Sequence, residues 1–241
     1  MSLRFWKLIA VIIIILLALA AAVFFYPKKA ETPSVAKDDI SGNIKAPVFS
    51  SGISFGPSIS NDIKTIISRN VSNLLLSIER SPKDSGLLID LSMQYKVAGD
   101  YGKSLQALEY AAALSPDNYV IFHNMGDIYH YHLKDYKKAE SNYLESIYLK
   151  PNVPNSHRSL YELYKFFYTE KSSEIPKILK NAITSNPKNY DFVIILAQYY
   201  RDSGDKAQAI IYYDKALAEI LKTGDEALEE SVAAERRAIM Q

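Results

Sequence analysis

The chain has 241 residues and a formal net charge of +1 at pH 7, so its charge balance does not favour nucleic acid or a strongly acidic partner. It contains no cysteine, which excludes disulfides, thiolate catalysis and cysteine-based zinc sites. The sequence has no nucleophile elbow, metalloprotease motif or glycine-rich dinucleotide loop. We therefore predict neither an enzymatic activity nor a bound cofactor.

Residues 1–26 are predicted to form a transmembrane signal-anchor helix. The 18 residues from Leu8 to Phe25 carry no charged or polar side chain, and at about 1.5 Å per residue they cover most of a bilayer core of about 30 Å. A cleaved signal peptide is the alternative, since small residues follow Leu19, although the apolar run is longer than usual for one. The short tail before the span favours an extracytoplasmic C-terminal body.

Residues 27–58 have the composition of a linker, because they contain four prolines and a Ser-Ser-Gly run without a sustained hydrophobic period. The alternative is that the second half of this segment packs on the folded body. Its apolar side chains are Val48, Phe49, Ile53 and Phe55.

The folded body is predicted to span 59–241 and to begin with a helix over residues 60–80. The apolar residues of this helix recur at three- and four-residue steps. Ser60 can cap its start, and Pro82 follows its end. This helix is either the second half of a repeat or a cap on the repeats that follow.

Residues 85–118 are predicted to form two short amphipathic helices, joined by a Gly-Asp-Tyr turn at 99–101 and closed by Pro116. Comparable units follow this first one. They span residues 119–153, 154–189 and 190–223.

Two of these units are irregular in length. The second carries one extra residue near Leu133, which we place in its turn, where an insertion costs least. The third has about two extra residues in its turn. Pro176 then falls in the first turn of its second helix, where proline is tolerated.

The units resemble a tetratricopeptide repeat, whose pattern is W-x2-L-G-x2-Y, then A-x3-F, then P over 34 residues. In the first unit the matching positions hold Leu88, Leu91, Ser92, Tyr95, Ser104, Leu108, Ala111 and Pro116. In the second they hold Phe122, Met125, Gly126, Tyr129, Ala139, Tyr143 and Pro151. The resemblance implies an all-α solenoid of about 3.5–4 repeats with a concave groove, ended by a polar capping helix at 225–240. It implies no catalytic residue.

The resemblance also places one face of each unit's first helix in the groove. The candidate partner-binding residues there are His123, Asp127, His130, Tyr131, Arg158, Glu162, Lys165, Phe166, Gln198 and Arg201. In the first unit the groove positions are Ile89, Met93, Lys96 and Val97. A groove that is apolar at one end and mixed polar at the other fits an amphipathic helix or an extended segment.

His123, Asp127 and His130 are spaced i, i+4 and i+7, so a regular helix would place them on one face. Two imidazoles and a carboxylate form a possible zinc set. A set on a single helix without a clear fourth ligand instead favours a polar groove wall, and we predict no metal. The Phe166-Phe167-Tyr168 run either anchors a partner or fills space in the irregular third unit.

Together these features predict a membrane-tethered scaffold that binds a protein or peptide segment within an envelope assembly, secretion or chaperone complex. The first alternative is a structural subunit that assembles with copies of itself in a larger machine. A metal-dependent activity at His123, Asp127 and His130 is the second.

Overall fold

The computed structural model describes residues 47–240. The predicted span at 1–26, and the part of the predicted linker from 27 to 46, lie outside these residues. Within 47–240, no helix combines the length and the apolar character needed to cross a membrane.

The described residues fold into ten α-helices and no strand. The helices are α1 Asn61–Arg80, α2 Ser85–Ala98, α3 Tyr101–Leu114, α4 Tyr119–Asp127, α5 Tyr136–Leu149, α6 Pro154–Glu162, α7 Ile175–Ser185, α8 Asp191–Asp202, α9 Lys206–Ile220 and α10 Glu226–Ala238. Four helix pairs, α2/α3, α4/α5, α6/α7 and α8/α9, stack in chain order between α1 and α10. The predicted all-α solenoid is therefore confirmed.

Side-chain caps define where many of these helices begin. The backbone amide of Ile63 donates to the Ser60 hydroxyl at 3.4 Å, and Asp225 accepts from Leu228 at 3.0 Å, as expected of N-cap residues. Gly99 and Gly204 end α2 and its counterpart α8 with φ values of 86° and 83°. Only glycine adopts this left-handed conformation without strain, which explains its place in these turns.

The first helix pair compensates for two departures from the repeat pattern. Ser92 and Ser104 stand where glycine and alanine are usual, and both are buried. The Ser104 hydroxyl donates to the Ser92 carbonyl at 2.9 Å, and the two hydroxyl oxygens lie 2.8 Å apart. The Ser92 hydroxyl therefore donates to the Ser104 oxygen, and both hydroxyl groups are satisfied at the close contact between α2 and α3.

The insertions of the second and third units lie in helices, whereas the sequence analysis predicted them in turns. A π-helical turn at Ile128–Leu133 continues α4, and another at Leu163–Phe167 continues α6. A 3₁₀ segment, Thr169–Glu174, then leads into α7. A π turn absorbs an extra residue while keeping the backbone hydrogen-bonded, which an extended loop of the same length does not do.

Residues 47–58, the second half of the predicted linker, pack on the body. Phe49, Ile53 and Phe55 pack against the hydrophobic core that α1, α2 and α3 help to form. The backbone of this segment also bonds to the body, because the Gly56 amide donates to the Ala98 carbonyl at 2.8 Å and the Tyr95 hydroxyl donates to the Ser50 carbonyl. A free linker is therefore wrong for these residues, since their apolar side chains gain burial by lying against α1, α2 and α3.

The contact between α4 and α5 depends on Gly126. A Cβ at this position would lie 2.6 Å from the ring of Tyr143. We expect Gly126→Ala to lower the free energy of unfolding by about 1–3 kcal/mol, because the helices must separate or the ring must move. Urea unfolding of the full chain in detergent measures this loss.

Gly102→Ala is the matched control, since its Cβ would meet nothing within 4 Å and alanine favours helix by up to about 1 kcal/mol. Equal effects of the two substitutions would contradict the assigned contact.

Candidate functional site

The first helices of the four pairs, α2, α4, α6 and α8, present the groove positions of the repeats; we call this surface the groove face. Several predicted residues bond across it to the next helix along. The Arg158 Nη2 atom lies 3.0 Å from Asp191 Oδ2, and the Tyr131 hydroxyl donates to Glu162 at 3.0 Å. These contacts connect successive first helices, and the role of the side chains in partner binding stays a prediction.

The groove face of α8 is occupied by a carboxylate of the capping helix. Gln198 Nε2 lies 3.1 Å and Arg201 Nη1 2.6 Å from Glu235 Oε2. The same oxygen accepts from the Tyr213 hydroxyl at 2.7 Å. Gln198 and Arg201 are therefore already bonded within the chain, and α10 contributes Glu235, which the sequence analysis did not identify.

His130 does not lie on the groove face, in contrast to the prediction. Its side chain is 1% exposed, because the π-helical turn begins at Ile128 and changes the angle between successive side chains. Nδ1 of His130 lies 3.2 Å from the Tyr143 hydroxyl, which donates to Asp127 Oδ1 at 2.9 Å.

This arrangement determines which nitrogen of His130 carries the proton. The single hydroxyl hydrogen of Tyr143 goes to the Asp127 carboxylate, so Nδ1 of His130 must donate to the hydroxyl oxygen. Nε2 is then an unprotonated acceptor, and it is buried without a partner among the described residues. A buried acceptor without a donor costs about 1–3 kcal/mol, which makes this nitrogen the anomalous atom of the site.

His123 takes part in a buried chain of hydroxyl groups. Its Nδ1 lies 3.1 Å from the Ser156 hydroxyl, which is 2.8 Å from the Ser146 hydroxyl. Its Nε2 lies 3.8 Å from Asp127 Oδ2. A serine, a histidine and an aspartate thus lie next to one another, as they do in the triad of a hydrolase. Ser156 is only 1% exposed, however, and its hydroxyl is also bonded to that of Ser146. This hydrogen-bond network therefore connects α4, α5 and α6 and does not expose a nucleophile.

The predicted zinc alternative does not fit this geometry. His123 and His130 direct Nδ1 at Ser156 and Tyr143 respectively. Residues 47–240 contain no group of three or more histidines, cysteines or carboxylates that could hold a metal ion.

An exposed aromatic surface adjoins His130. The side chains of Tyr131, Phe166 and Phe167 are 44%, 61% and 44% exposed; we call these three residues the aromatic patch. Tyr131 stacks on the His130 ring at a centroid distance of 3.9 Å, and Phe167 meets that ring edge-to-face at 4.6 Å. All three belong to the π-helical turns, so the insertions of two neighbouring units together form this surface.

The packing around the aromatic patch shifts the pKa of Tyr131 and of His130. Burial, together with the bond to Glu162, raises the pKa of Tyr131 to about 12. Burial lowers the pKa of His130, partly offset by the Asp127 charge. Lys165 lies over the Phe166 ring at 5.4 Å and over Tyr161 at 5.5 Å, so its charge stays beside the patch.

A search with sequence models of protein families supports the repeats directly. The tetratricopeptide repeat model matches residues 119–153 and 190–219, the second and fourth units. These two units therefore have the sequence pattern of a tetratricopeptide repeat. The predicted resemblance is confirmed there, and the remaining units share the solenoid fold.

The solved structures that resemble the chain include three with similar TM-scores. "Crystal structure of MamA" has a TM-score of 0.54 and 15% identity, and the match covers 67% of this chain and 93% of that one. "Crystal structure of MamA protein" has a TM-score of 0.52 and 15% identity, and the match covers 68% of this chain and 88% of that one. "MamA RS-1 ArsTM double mutant" has a TM-score of 0.51 and 15% identity, and the match covers 68% of this chain and 96% of that one. Identities this low show a shared fold alone, and no curated protein sequence matched the chain.

Removal of the Tyr143 hydroxyl tests the buried network. Tyr143→Phe keeps the ring but leaves Asp127 and Nδ1 of His130 without their shared partner, so we expect a loss of about 1–3 kcal/mol in the free energy of unfolding. Tyr148→Phe, on the exposed face of α5, is the control and should change stability little. Denaturant unfolding of both variants decides; an unchanged Tyr143→Phe midpoint would show that the network contributes nothing.

His157 makes stability depend on pH. It is 2% exposed, lies 2.8 Å from the Pro151 carbonyl through Nε2, and has its pKa lowered chiefly by burial. Below the ordinary imidazole pKa of about 6.5 the unfolded chain binds a proton that the folded chain excludes, so stability falls as pH falls.

His157→Gln retains an N–H donor without this titration. As the pH is lowered from 7.5 to 5, we expect the free energy of unfolding of this variant to rise relative to that of the parent, by at most about 1.4 kcal/mol per pH unit. Melting curves of both proteins across this range provide the measurement, and parallel pH profiles would contradict the assignment.

Proposed function

We propose that this protein is a membrane-tethered tetratricopeptide scaffold that binds a protein or peptide segment on its groove face, within an envelope assembly, secretion or chaperone complex. Two parts of the chain support the proposal. The sequence of residues 1–26 has the composition of a membrane span, and the body is a solenoid of a repeat type that serves protein interaction.

One observation carries the binding role: large apolar side chains are exposed along the groove face. Met93 and Val97 on α2 are exposed, as are Tyr131 and Phe166 on the next two groove positions. Folding alone would favour burial of such side chains. Exposed apolar residues that recur at equivalent positions of neighbouring repeats are typical of a binding surface.

The tether gives a weak groove contact its effect. A span holds the body near one membrane, so a partner in the same membrane or compartment meets the groove at a raised effective concentration. The first described residues, 47–58, pack on α1, α2 and α3 beside the first repeat.

A second candidate role is a structural subunit that assembles with copies of itself. It is favoured by exposed apolar side chains on α1, which are Ile63, Ile66 and Leu76. The opposite end of the stack is closed by α10, whose exposed side is rich in charge. An apolar end and a charged end suit assembly through the α1 end rather than an end-to-end filament.

Site-specific photo-crosslinking in cells distinguishes these roles. A photoreactive phenylalanine analogue at Tyr131 should give a discrete product with another protein, identified by mass spectrometry. The same analogue at Tyr148, a similarly exposed tyrosine on α5, is the matched control and should not give that product. Products of the chain with itself alone would replace the scaffold by the self-assembling subunit, and equal products from both positions would contradict a specific groove.

A further inference from the structure

The two ends of the solenoid expose different side chains. The last helix, α10, exposes Glu226, Glu230 and Arg237, as expected of a polar end cap. The first helix, α1, instead exposes Ile66 and Leu76, by 47% and 53%. Single apolar residues on a surface need no explanation, but these two belong to a regular pattern.

Six exposed residues of α1 form one row along the helix. We call this row the outer stripe, and its members are Asp62, Ile66, Arg69, Asn73, Leu76 and Arg80. The steps between them alternate between four and three residues, which is the spacing of the seam of a coiled coil. Val71 and Ile78 lie on the opposite side of the helix and are buried against the body. The outer stripe therefore points away from the body along the whole of α1.

The outer stripe is complementary to itself when two copies of α1 run antiparallel. With Ile66 opposite Leu76 of the second copy, Asp62 lies opposite Arg80 of that copy. A two-fold axis at the level of Val71 generates each pair a second time. The contact then has apolar side chains on both sides of its centre and an ion pair at each end.

The charges of the outer stripe favour this register over the alternatives. Parallel helices would place Asp62, Arg69 and Arg80 each opposite its own copy, so that like charges would meet. A shift of the antiparallel helices by one heptad would place Arg69 opposite Ile66 in one direction and opposite Arg80 in the other. In the register described above, Arg69 meets Asn73, whose amide oxygen accepts a hydrogen bond.

The charges of the outer stripe are not paired within the described part of the chain. Asp62, Arg69 and Arg80 form no ion pair with any residue between 47 and 240. Asp62 and Arg80 also suit the dipole of α1, because they lie in its first and last turns. The dipole does not account for Arg69 or for the apolar residues in the same row, whereas the antiparallel contact accounts for all of them.

The flanks of the outer stripe bring no like charges together. The residues beside it are Ile63, Thr65, Asn70, Ser72, Ser77 and Glu79. The single charged residue among them, Glu79, lies opposite Thr65 of the second copy in this register. Val48, which is 90% exposed, lines a groove together with Leu76 and extends the apolar part of the contact.

We propose that two copies of the chain form a two-fold dimer in which their outer stripes pack antiparallel. One helix per copy makes a small interface, and small interfaces give weak dimers that depend on concentration. The dimer goes beyond the proposed function, because α1 is not part of the groove face, and it specifies the contact that a self-assembling subunit would use. The groove face stays open, so a dimeric scaffold presents two grooves to its partners.

Cysteine crosslinking of the purified full chain in detergent micelles tests the dimer, since the chain contains no cysteine of its own. Ser72 lies beside the outer stripe and next to the proposed axis, so a short bis-maleimide should link Ser72→Cys to its copy. Thr65 and Glu79 lie opposite each other across the axis, while the two copies of Thr65 are about 20 Å apart along the helices. A mixture of Thr65→Cys and Glu79→Cys chains should therefore be linked, and each of these chains alone should not.

The pattern of products decides the proposal. Lys137→Cys, at an exposed position of α5, is the matched control and should give no linked dimer. A dimer held by another part of the chain would not reproduce the pattern at α1. Linking of Thr65→Cys to itself as readily as to Glu79→Cys, no product from Ser72→Cys at the highest attainable concentration, or a product of Ser72→Cys in cells with another protein alone would each overturn the dimer.

A charge exchange tests the ion pairs. Asp62→Arg and Arg80→Asp each bring like charges together at both ends of the contact, and each should lower the yield of the Ser72→Cys dimer several-fold. The two substitutions together restore opposite charges and should restore the yield. The double variant is also the least favourable for the dipole of α1, so its recovery cannot come from a more stable helix. After melting curves have shown that the variants are folded, a double variant as weak as the single ones would contradict the assigned register.

The dimer and the scaffold role can fail separately. If photo-crosslinking from Tyr131 gives a partner but Ser72→Cys gives no linked dimer, the scaffold role stands and the dimer is wrong. If Ser72→Cys gives the dimer but Tyr131 gives no product with another protein, the dimer stands and the scaffold role is wrong.

Discussion

The packing of Gly126 against the Tyr143 ring sets the distance between α4 and α5, and it leaves little freedom for anything added to that pair. An extra residue in such a unit must therefore lie where it does not displace the side chains packed between the two helices. The chain places it in a π-helical turn at the end of α4, beyond Gly126. The wider turn carries His130 inward to the Tyr143 hydroxyl, and it leaves Tyr131 on the groove face.

The same solution in the third unit makes the two insertions cooperate. The π turn after α6 brings Phe167 onto the ring of His130. A regular repeat at either place would separate these side chains, since regular first helices place equivalent residues at equal intervals along the stack. The irregularity that weakens the family pattern is thus what creates the aromatic surface, and π-helical turns occur frequently at functional sites.

The sequence predicted the helices and their order well because the repeat pattern encodes them several times over. Prolines at unit ends, aspartate caps and glycine turns all agree with one register. It could not place His130, because an i, i+4, i+7 spacing assumes a regular helix and nothing in residues 128–133 announces a π turn. It also missed Glu235, since a capping helix is recognised from its overall polarity and not from the contact of one carboxylate. The linker predicted for residues 47–58 was wrong for a similar reason: four apolar side chains in a proline-rich segment are compatible with both a free and a bound chain.

The residue at one buried position of the second helix divides the four repeats into two kinds. Tyr143 and Tyr213 occupy the same pattern position in the second and fourth units, and their hydroxyls reach the acidic residues Asp127 and Glu235.

In the first and third units that position holds Leu108 and Leu179, both fully buried, which offer no hydroxyl to a groove residue. In the second and fourth units, by contrast, the tyrosine hydroxyl fixes the orientation of one carboxylate without neutralising its charge, because a phenol is a neutral donor. The choice of tyrosine or leucine at this one buried position therefore decides whether the second helix of a pair holds an acidic side chain in place.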